Sequence, residues 1–302
     1  MKHLFIVNPV AGGKKGRFEK THEEIQAVAD NLKNPFEIYV TKKPLDATEK
    51  VIKDAQAEEL LYVYACGGDG TLNECVNGAV NRDNVVVTHY PCGTGNDFIK
   101  TFGKENVDKF RDLQSLISGE VRELDVIDCN GRYGINICSV GMDARVGNDV
   151  HKYSGIPIIG GASGYVVALV VNLIKGVKKN FKVSINGFKR QAPITLICAC
   201  NGRYYGGGFN PVPEALPDDG IIDFLIVDGV SRLKIIRVVR KYSSGRFREV
   251  PSVVTHIRGV KMEVESDEEF VVNIDGEIIK TTKLSLNLIP KGVKYLLPKG
   301  LS

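Results

Sequence analysis

The order of apolar and polar segments predicts an α/β domain, a parallel sheet with flanking helices, followed by a β-rich domain, most simply a sandwich. Three observations carry this. Strand and helix signals alternate up to about residue 121. From there to about 290, strand follows strand. The early strands also run into polar or glycine-rich turns, which is where open parallel sheets bind ligands. A length of 302 residues suits two domains of roughly 150 each. The boundaries read as 1–121 and 122–290, with 291–302 left open to a return to the first domain.

The elements follow in order. Leu4 to Val7 is a first strand, Phe18 to Leu32 helical, Glu37 to Val40 a strand and Ala47 to Ala57 helical. Leu61 to Ala65 is a strand, Thr71 to Val80 helical and Val85 to His89 a strand, with a further helix near Val107 to Ser118. The second domain contains strands at Val121 to Cys129, Tyr133 to Val140, Phe181 to Ile185, Gln191 to Cys200, Ile221 to Asp228, Val253 to Glu265, Phe270 to Ile274 and Lys283 to Ile289. Helical stretches near 143–175 and 231–243 interrupt it. Asn130-Gly131, Asn186-Gly187 and Asp275-Gly276 have the chemistry of two-residue hairpin turns.

Composition narrows the function classes. With 40 Lys and Arg against 36 Asp and Glu, the net charge of +4 is too near balance for a nucleic-acid coat, and no nucleic-acid partner is expected. Seven cysteines without a CxxC pair, mostly inside apolar runs, favour reduced core thiols in a cytosol over disulfides or a zinc site. Cys198 and Cys200 alternate along one strand and share a face. The N-terminus reads as a strand and not a secretion signal. The most membrane-like stretch, Gly160 to Ile174, is shorter than the roughly 20 apolar residues a spanning helix needs. It reads as a buried or interfacial helix. The five histidines show no HExxH pattern and read as structural or surface residues.

The chemistry lies in the turns. Cys66-Gly67-Gly68-Asp69-Gly70-Thr71-Leu72-Asn73-Glu74 follows a strand and opens a helix, so its backbone N–H groups and helix dipole form a phosphate cradle. A carboxylate among such amides suits phosphate only with a divalent cation between them, so Asp69 points to a magnesium nucleotide. A lone GGDG reads equally well as a glycine turn capped by Asp69, with Thr71 or Asn73 as helix N-cap. Two more strand-end loops of the same character, Asn8 to Gly13 and Gly93-Thr94-Gly95-Asn96-Asp97, shift the balance to a nucleotide site. Walker A, HRD, DFG and GxGxxG patterns are absent, which leaves a phosphoryl-transfer enzyme of another design.

NPVAGG near the start, GGDGTLNECVNG from Gly67, PCGTGNDF from Pro91, ELD at Glu123 to Asp125, PDDGIID from Pro217 and NIDGE from Asn273 resemble, in order and spacing, the soluble bacterial diacylglycerol/lipid kinase family. That family is related to sphingosine and ceramide kinases and more distantly to NAD kinase and phosphofructokinase. The resemblance covers essentially the whole chain and implies an NAD-kinase/phosphofructokinase-like first domain. It implies an ATP- and Mg²⁺-dependent kinase that transfers the γ-phosphate to a lipid hydroxyl, with diacylglycerol favoured and phosphatidate as product.

By resemblance, Asn8, Pro9, Val10, Ala11, Gly12, Thr41, Gly67, Gly68, Asp69, Gly70, Thr71, Leu72, Asn73 and Thr94 contact the nucleotide. Glu277 is the base that takes the hydroxyl proton, and Asp69 and Asp125 belong to a Mg²⁺-linked carboxylate network. Leu216 and Ile221, through backbone carbonyls, and Asp219, through its side chain, match a structural Mg²⁺ site. Without the resemblance, Asp275-Gly276 is simply a hairpin turn with Glu277 a solvated strand residue, and Asp218-Asp219-Gly220 a loop of turn formers. Lys100 stands where many relatives carry arginine after NDF, and keeps the charge without the bidentate fork. Tyr204 to Phe209 reads as a lipid-lining segment or a long loop.

Two windows, Val150 to Arg190 and Ser231 to Arg248, each hold seven basic residues and no acid. On one face they would favour reversible adsorption to an anionic bilayer, each charge contributing about 1 kcal/mol. Balanced by acids such as those in Glu263 to Glu269, they are ordinary solvated faces. The expectation is a cytoplasmic protein peripheral to the inner face of the membrane, with ATP and a lipid as partners and the lipid entering between the domains. A homodimer, the commonest soluble assembly, is the only prior for oligomeric state. The rivals are a kinase of another small hydroxyl compound, such as NAD or a sugar phosphate, and a nucleotide-binding regulator that performs no transfer.

Overall fold

Apolar runs buried on both faces become parallel strands. β1 (Lys2–Val7) carries Leu4, Phe5, Ile6 and Val7 at 1% exposure or less, and β3 (Leu61–Gly67) and β4 (Val85–Pro91) are almost wholly buried. These observations come from a computed structural model that describes residues 1–12, 17–93, 95–141 and 178–301. It divides into two compact units, Met1–Val126 with Pro290–Ser302, and Ile127–Ile289.

The first unit is a parallel sheet in the order β2 (Phe36–Val40), β1, β3, β4, closed by the end of β13 (Glu277–Leu297), where Lys294 and Tyr295 register with Val86 and Val87. The last dozen residues thus supply its fifth strand. β1 continues to β2 on one side and has β3 on the other, so the carboxyl ends of β1 and β3 flank the topological switch point. Helices α1 (Arg17–Ala29), α2 (Asp46–Ala55) and α3 (Asp69–Ala79) connect the strands. α2 opens on a buried carboxylate. Asp46, 6% exposed, accepts the Lys42 N–H at 2.7 Å and the Tyr39 hydroxyl at 2.9 Å. The helix expected near 107–118 is shorter: α4 (Leu113–Ile117) starts where Asp112 accepts the N–H groups of Gln114 and Ser115, after two 3-10 turns.

In the second unit, β7 (Ile137–Gly141), β8 (Lys179–Ile185), β9 (Phe188–Cys200), β10 (Ile222–Asp228), β11 (Val254–Gly259) and β12 (Lys261–Ile274) pair antiparallel, and β12 also pairs with β13. The alternation on β10 shows how the layers form. Ile222, Phe224 and Ile226 face a sandwich core with Val183, Ile197, Val264 and Leu284. Leu225 and Val227 face a second core beneath helix α5 (Arg232–Tyr242), with its Ile235, Val238 and Tyr242. Cys198 and Cys200 share that second core with their sulfurs 3.5 Å apart, and all seven cysteines are free and buried.

All three dipeptide turns have two consecutive positive φ angles, 54° and 80° at Asn130-Gly131, 46° and 91° at Asn186-Gly187, and 51° and 103° at Asp275-Gly276. Four expected strands are drawn differently. Tyr133 to Val140 splits into β6 (Arg132–Gly134) and β7 because the N–H groups of Ile135, Asn136 and Ile137 turn to the carboxylate of Asp275. Val253 to Glu265 breaks at Val260, whose carbonyl accepts the Leu288 N–H. Phe270 to Ile274 joins the strand before it through a register shift, and Lys283 to Ile289 is the middle of the 21-residue β13. The helix expected over 143–175 lies outside the described residues. Phe224, 0% exposed, fills the sandwich, and Phe224→Ala is expected to cost about 3–5 kcal/mol, read as a lower urea midpoint at unchanged slope.

Candidate active site

The loops after β1, β3 and β4 converge on the switch point of the first unit. Asn8 leaves β1 with its N–H on the Cys66 carbonyl at 3.0 Å, and its side-chain amide donates to the Thr71 hydroxyl at 3.2 Å. Its own oxygen accepts the Val10 N–H at 3.1 Å and shapes the turn through Pro9, Val10, Ala11 and Gly12. Thr41 is held beside it, its N–H on the Val7 carbonyl at 3.0 Å. Val10 is 79% exposed, while Val7, Asn8, Ala11, Phe18, Thr21, Cys66 and Cys92 line a recess next to the turn.

Helix α3 begins at Asp69, with Gly68 as its N-cap and no capping side chain. A helix N-cap from Thr71 or Asn73 is therefore not what the chain adopts. Thr71, Leu72 and Asn73 are buried and build the base of the helix, whereas Gly70 is exposed. The Asp69 carboxylate instead reaches across to the loop after β4. Oδ2 accepts the Asp97 N–H at 2.9 Å and Oδ1 the Phe98 N–H at 3.2 Å. On the other side, the Gly67 carbonyl accepts the N–H groups of Cys92 and Gly93 at 2.7 and 3.0 Å. Two glycine loops are thus laced edge to edge with little room between them. A Cβ on Gly93 would lie 2.5 Å from the Gly68 Cα. Thr94 lies outside the described residues.

Each Asp69 oxygen holds one N–H donor, leaving acceptor capacity, and Asp69 has no ion pair among the described residues. A half-buried carboxylate of this kind beside an uncapped helix N-terminus fits a magnesium nucleotide. Below it lies His89, fully buried, with Nε2 3.1 Å from the Gly67 carbonyl. A carbonyl only accepts, so Nε2 carries the proton and Nδ1, without a partner, is bare. Burial pushes the His89 pKa down, against the opposing pull of the Asp69 charge and the Gly67 bond.

Two contributors, Asn96 and His89, carried no strong signal of their own in the sequence. Asn96, 4% exposed with φ 46°, donates to the Gly93 carbonyl at 2.8 Å, and its buried Oδ1 has no partner. Its asparagine at a left-handed position was the available clue. His89 looked like a strand residue. Lys100 binds Asp97 Oδ1 at 2.5 Å, so its charge is used within the loop. Asp125, 2% exposed, accepts the N–H of Lys291, a residue at φ 52°, at 2.9 Å and so holds the returning terminal segment.

In the second unit, Glu277 follows the Asp275-Gly276 turn, is exposed, and its carboxylate makes no hydrogen bond among the described residues. The turn is anchored by Asp275, whose oxygens accept N–H from Ile135 at 2.7 Å, Asn136 at 3.1 Å and Ile137 at 2.7 Å. Asn273 closes it by accepting the Gly276 N–H at 2.7 Å. At the DDG turn, Leu216 is exposed, and both Asp219 oxygens are engaged, Oδ1 by the Ile221 N–H at 3.1 Å and Oδ2 by Arg258 at 2.6 Å. Among the described residues no group of three or more His, Cys, Asp or Glu side chains is placed to hold a metal ion. At this turn the Arg258 guanidinium already brings a positive charge to the Asp219 carboxylate.

Gly93→Ala forces the two loops apart, so nucleotide affinity should fall at least tenfold while far-ultraviolet circular dichroism stays native, as read by nucleotide titration. His89 gives a signed pH effect. Its folded pKa lies below the unfolded value of about 6.5, so the unfolded chain binds the extra proton and stability falls as pH drops through that value. His89→Gln should therefore show a smaller loss of urea midpoint between pH 7.5 and 5.5 than the parent.

Two family models match the chain. Residues 2–129 match the diacylglycerol kinase catalytic domain and residues 136–297 the YegS C-terminal NAD kinase beta sandwich-like domain. Proteins named "Putative lipid kinase" from Staphylococcus aureus strains MSSA476 and MW2 are 30% identical over 241 residues, covering 80% of this chain and 78% of theirs. A crystal structure titled as that of a putative diacylglycerol kinase from Bacillus anthracis superposes with a TM-score of 0.78 at 23% identity, over 100% of this chain and 98% of that one. A second, also titled as a putative diacylglycerol kinase from Bacillus anthracis, gives 0.74 at 25% identity, over 98% and 96%. With an α/β unit that laces its glycine loops at the switch point and a β-sandwich behind it in sequence, the chain belongs to the diacylglycerol/lipid kinase family.

Proposed function

We propose that the protein transfers the γ-phosphate of ATP, with Mg²⁺, to the hydroxyl of diacylglycerol or a similar lipid, yielding phosphatidate. The observation that carries the nucleotide half is the convergence of Asn8, Thr41, Gly67 to Asp69, Gly93, Asp97 and Phe98 at the carboxyl ends of β1, β2, β3 and β4. Family membership supports the lipid acceptor.

In this reading the uncapped N–H groups at Gly68 to Thr71 receive phosphate oxygens, and the loop of Asn8 to Gly12 closes over them. Asp69 and its neighbours would hold the Mg²⁺, which supplies charge neutralisation at the phosphates. The lipid hydroxyl oxygen bonds to the γ-phosphorus as the bond to the β,γ-bridging oxygen breaks, ADP leaves, and Glu277 takes the hydroxyl proton. An exposed carboxylate without another hydrogen bond is available for that proton. The Asp275 anchor holds the backbone of the turn that precedes it.

Membrane association is part of the same proposal. No helix among the described residues is long and apolar enough to cross a membrane. In the first basic window Lys179 pairs with Glu268 and Arg190 with Asp228, so acids from elsewhere neutralise part of it. On α5, by contrast, Lys234, Arg237 and Arg240 are exposed and carry no ion pair among the described residues, which supports contact with anionic headgroups through the second window.

The test is transfer of labelled γ-phosphate to diacylglycerol in mixed micelles containing anionic lipid. Label should appear in phosphatidate, fall by a factor of about 10² or more in Glu277→Gln with nucleotide affinity retained, and vanish in Asp69→Ala. Parent-like rates in both variants, or label only in NAD, a sugar phosphate or another acceptor, would sink the assignment.

A further inference from the structure

Arg258 on β11 registers directly opposite Asp223 on β10. From there its guanidinium reaches two carboxylates, with Nη2 2.6 Å from Asp219 Oδ2 and Nε 3.5 Å from Asp223 Oδ1. Asp223 is 2% exposed, and the same Oδ1 lies 2.6 Å from His256 Nε2. A carboxylate so buried needs cationic or donor partners. Asp219 Oδ1 is meanwhile committed to the Ile221 N–H, across a turn that Gly220 makes with φ 73°. The turn and the start of β10 are therefore tied to β11 through one side chain.

A divalent cation ligated by Asp219 Oδ2 would need the place that Arg258 Nη2 takes at 2.6 Å, and Oδ1 is held by the Ile221 N–H at 3.1 Å. Two cations do not share that place. We propose that Arg258 is the resident cation of the Asp218-Asp219-Gly220 turn, that the turn takes no divalent ion, and that the protein's need for Mg²⁺ is confined to the nucleotide. The lipid-kinase reading supplies only the expectation of a cation here. The ion pairs and their test do not depend on activity.

The test is thermal unfolding of the full chain without nucleotide, in EDTA and in millimolar Mg²⁺. The parent Tm should agree between the two conditions to within about 1 °C. Arg258→Met should lower the Tm in EDTA by roughly 2–4 °C, and Mg²⁺ should recover part of that loss, with the recovery abolished in the double variant Arg258→Met/Asp219→Asn. A Mg²⁺ gain in the parent that disappears in Asp219→Asn would overturn the proposal, as would an unchanged Tm in Arg258→Met. A gain that persists in Asp219→Asn lies elsewhere and agrees with it. Mn²⁺ broadening of the amide resonances of Gly220 to Ile222 gives a readout on the parent alone: broadening overturns the proposal, and sharp resonances support it.

Discussion

The carboxylate of Asp69 sits at the first turn of a helix, where it would ordinarily cap its own N-terminus. Instead it accepts N–H groups from Asp97 and Phe98, nearly thirty residues on. That cross-loop use leaves α3 without a side-chain cap and fixes the loop after β4 against the loop after β3. The N–H groups at the helix start are then oriented by a rigid frame, and a ligand oxygen is the natural acceptor for them. Much of the first unit serves this arrangement. The switch between β1 and β3 opens the crevice, His89 supports the Gly67 carbonyl from below, and the glycines allow backbone to meet backbone.

The second unit solves a similar problem with the same chemistry. A two-residue hairpin alone would let the chain end of β12 fray, and Glu277 would sample many positions. Asp275 prevents this by gathering three N–H groups from the break between β6 and β7. The break costs ladder hydrogen bonds, and the carboxylate replaces them with charge-assisted ones. Both candidate reactive carboxylates thus depend on acid-to-amide bonds over long sequence separation. In Asp69 the bonding group is itself the site residue. In Glu277 the neighbour two positions earlier bonds, and the Glu277 carboxylate has no hydrogen bond among the described residues.

Charge is spent locally throughout. The near-balance of Lys and Arg with Asp and Glu conceals sites where one cation answers several acids, as Arg258 does with Asp219 and Asp223. It conceals the reverse as well, since Lys234, Arg237 and Arg240 on α5 are exposed and have no acidic partner among the described residues. Net charge describes neither, because screening limits exposed charges to about 8–10 Å and each patch acts on its own surroundings.

Much was legible from the sequence because it is written in short-range rules. Alternating strands and helices, Asn-Gly and Asp-Gly turns and glycine loops at strand ends depend on residues within a few positions, so the α/β and β-sandwich classes, the three hairpins and the loops of Asn8, Gly67 and Gly93 could all be read in advance. Partners of buried polar groups could not. That Asp69 bonds to Asp97 and Phe98 rather than capping α3, that Asp275 splits Tyr133 to Val140 into two strands, that Asp125 holds Lys291, and that Arg258 closes the Asp219 turn are long-range pairings. Each is decided by which strands lie side by side. A carboxylate takes whichever donor or cation the folded chain delivers within 3 Å, and no local pattern encodes that choice.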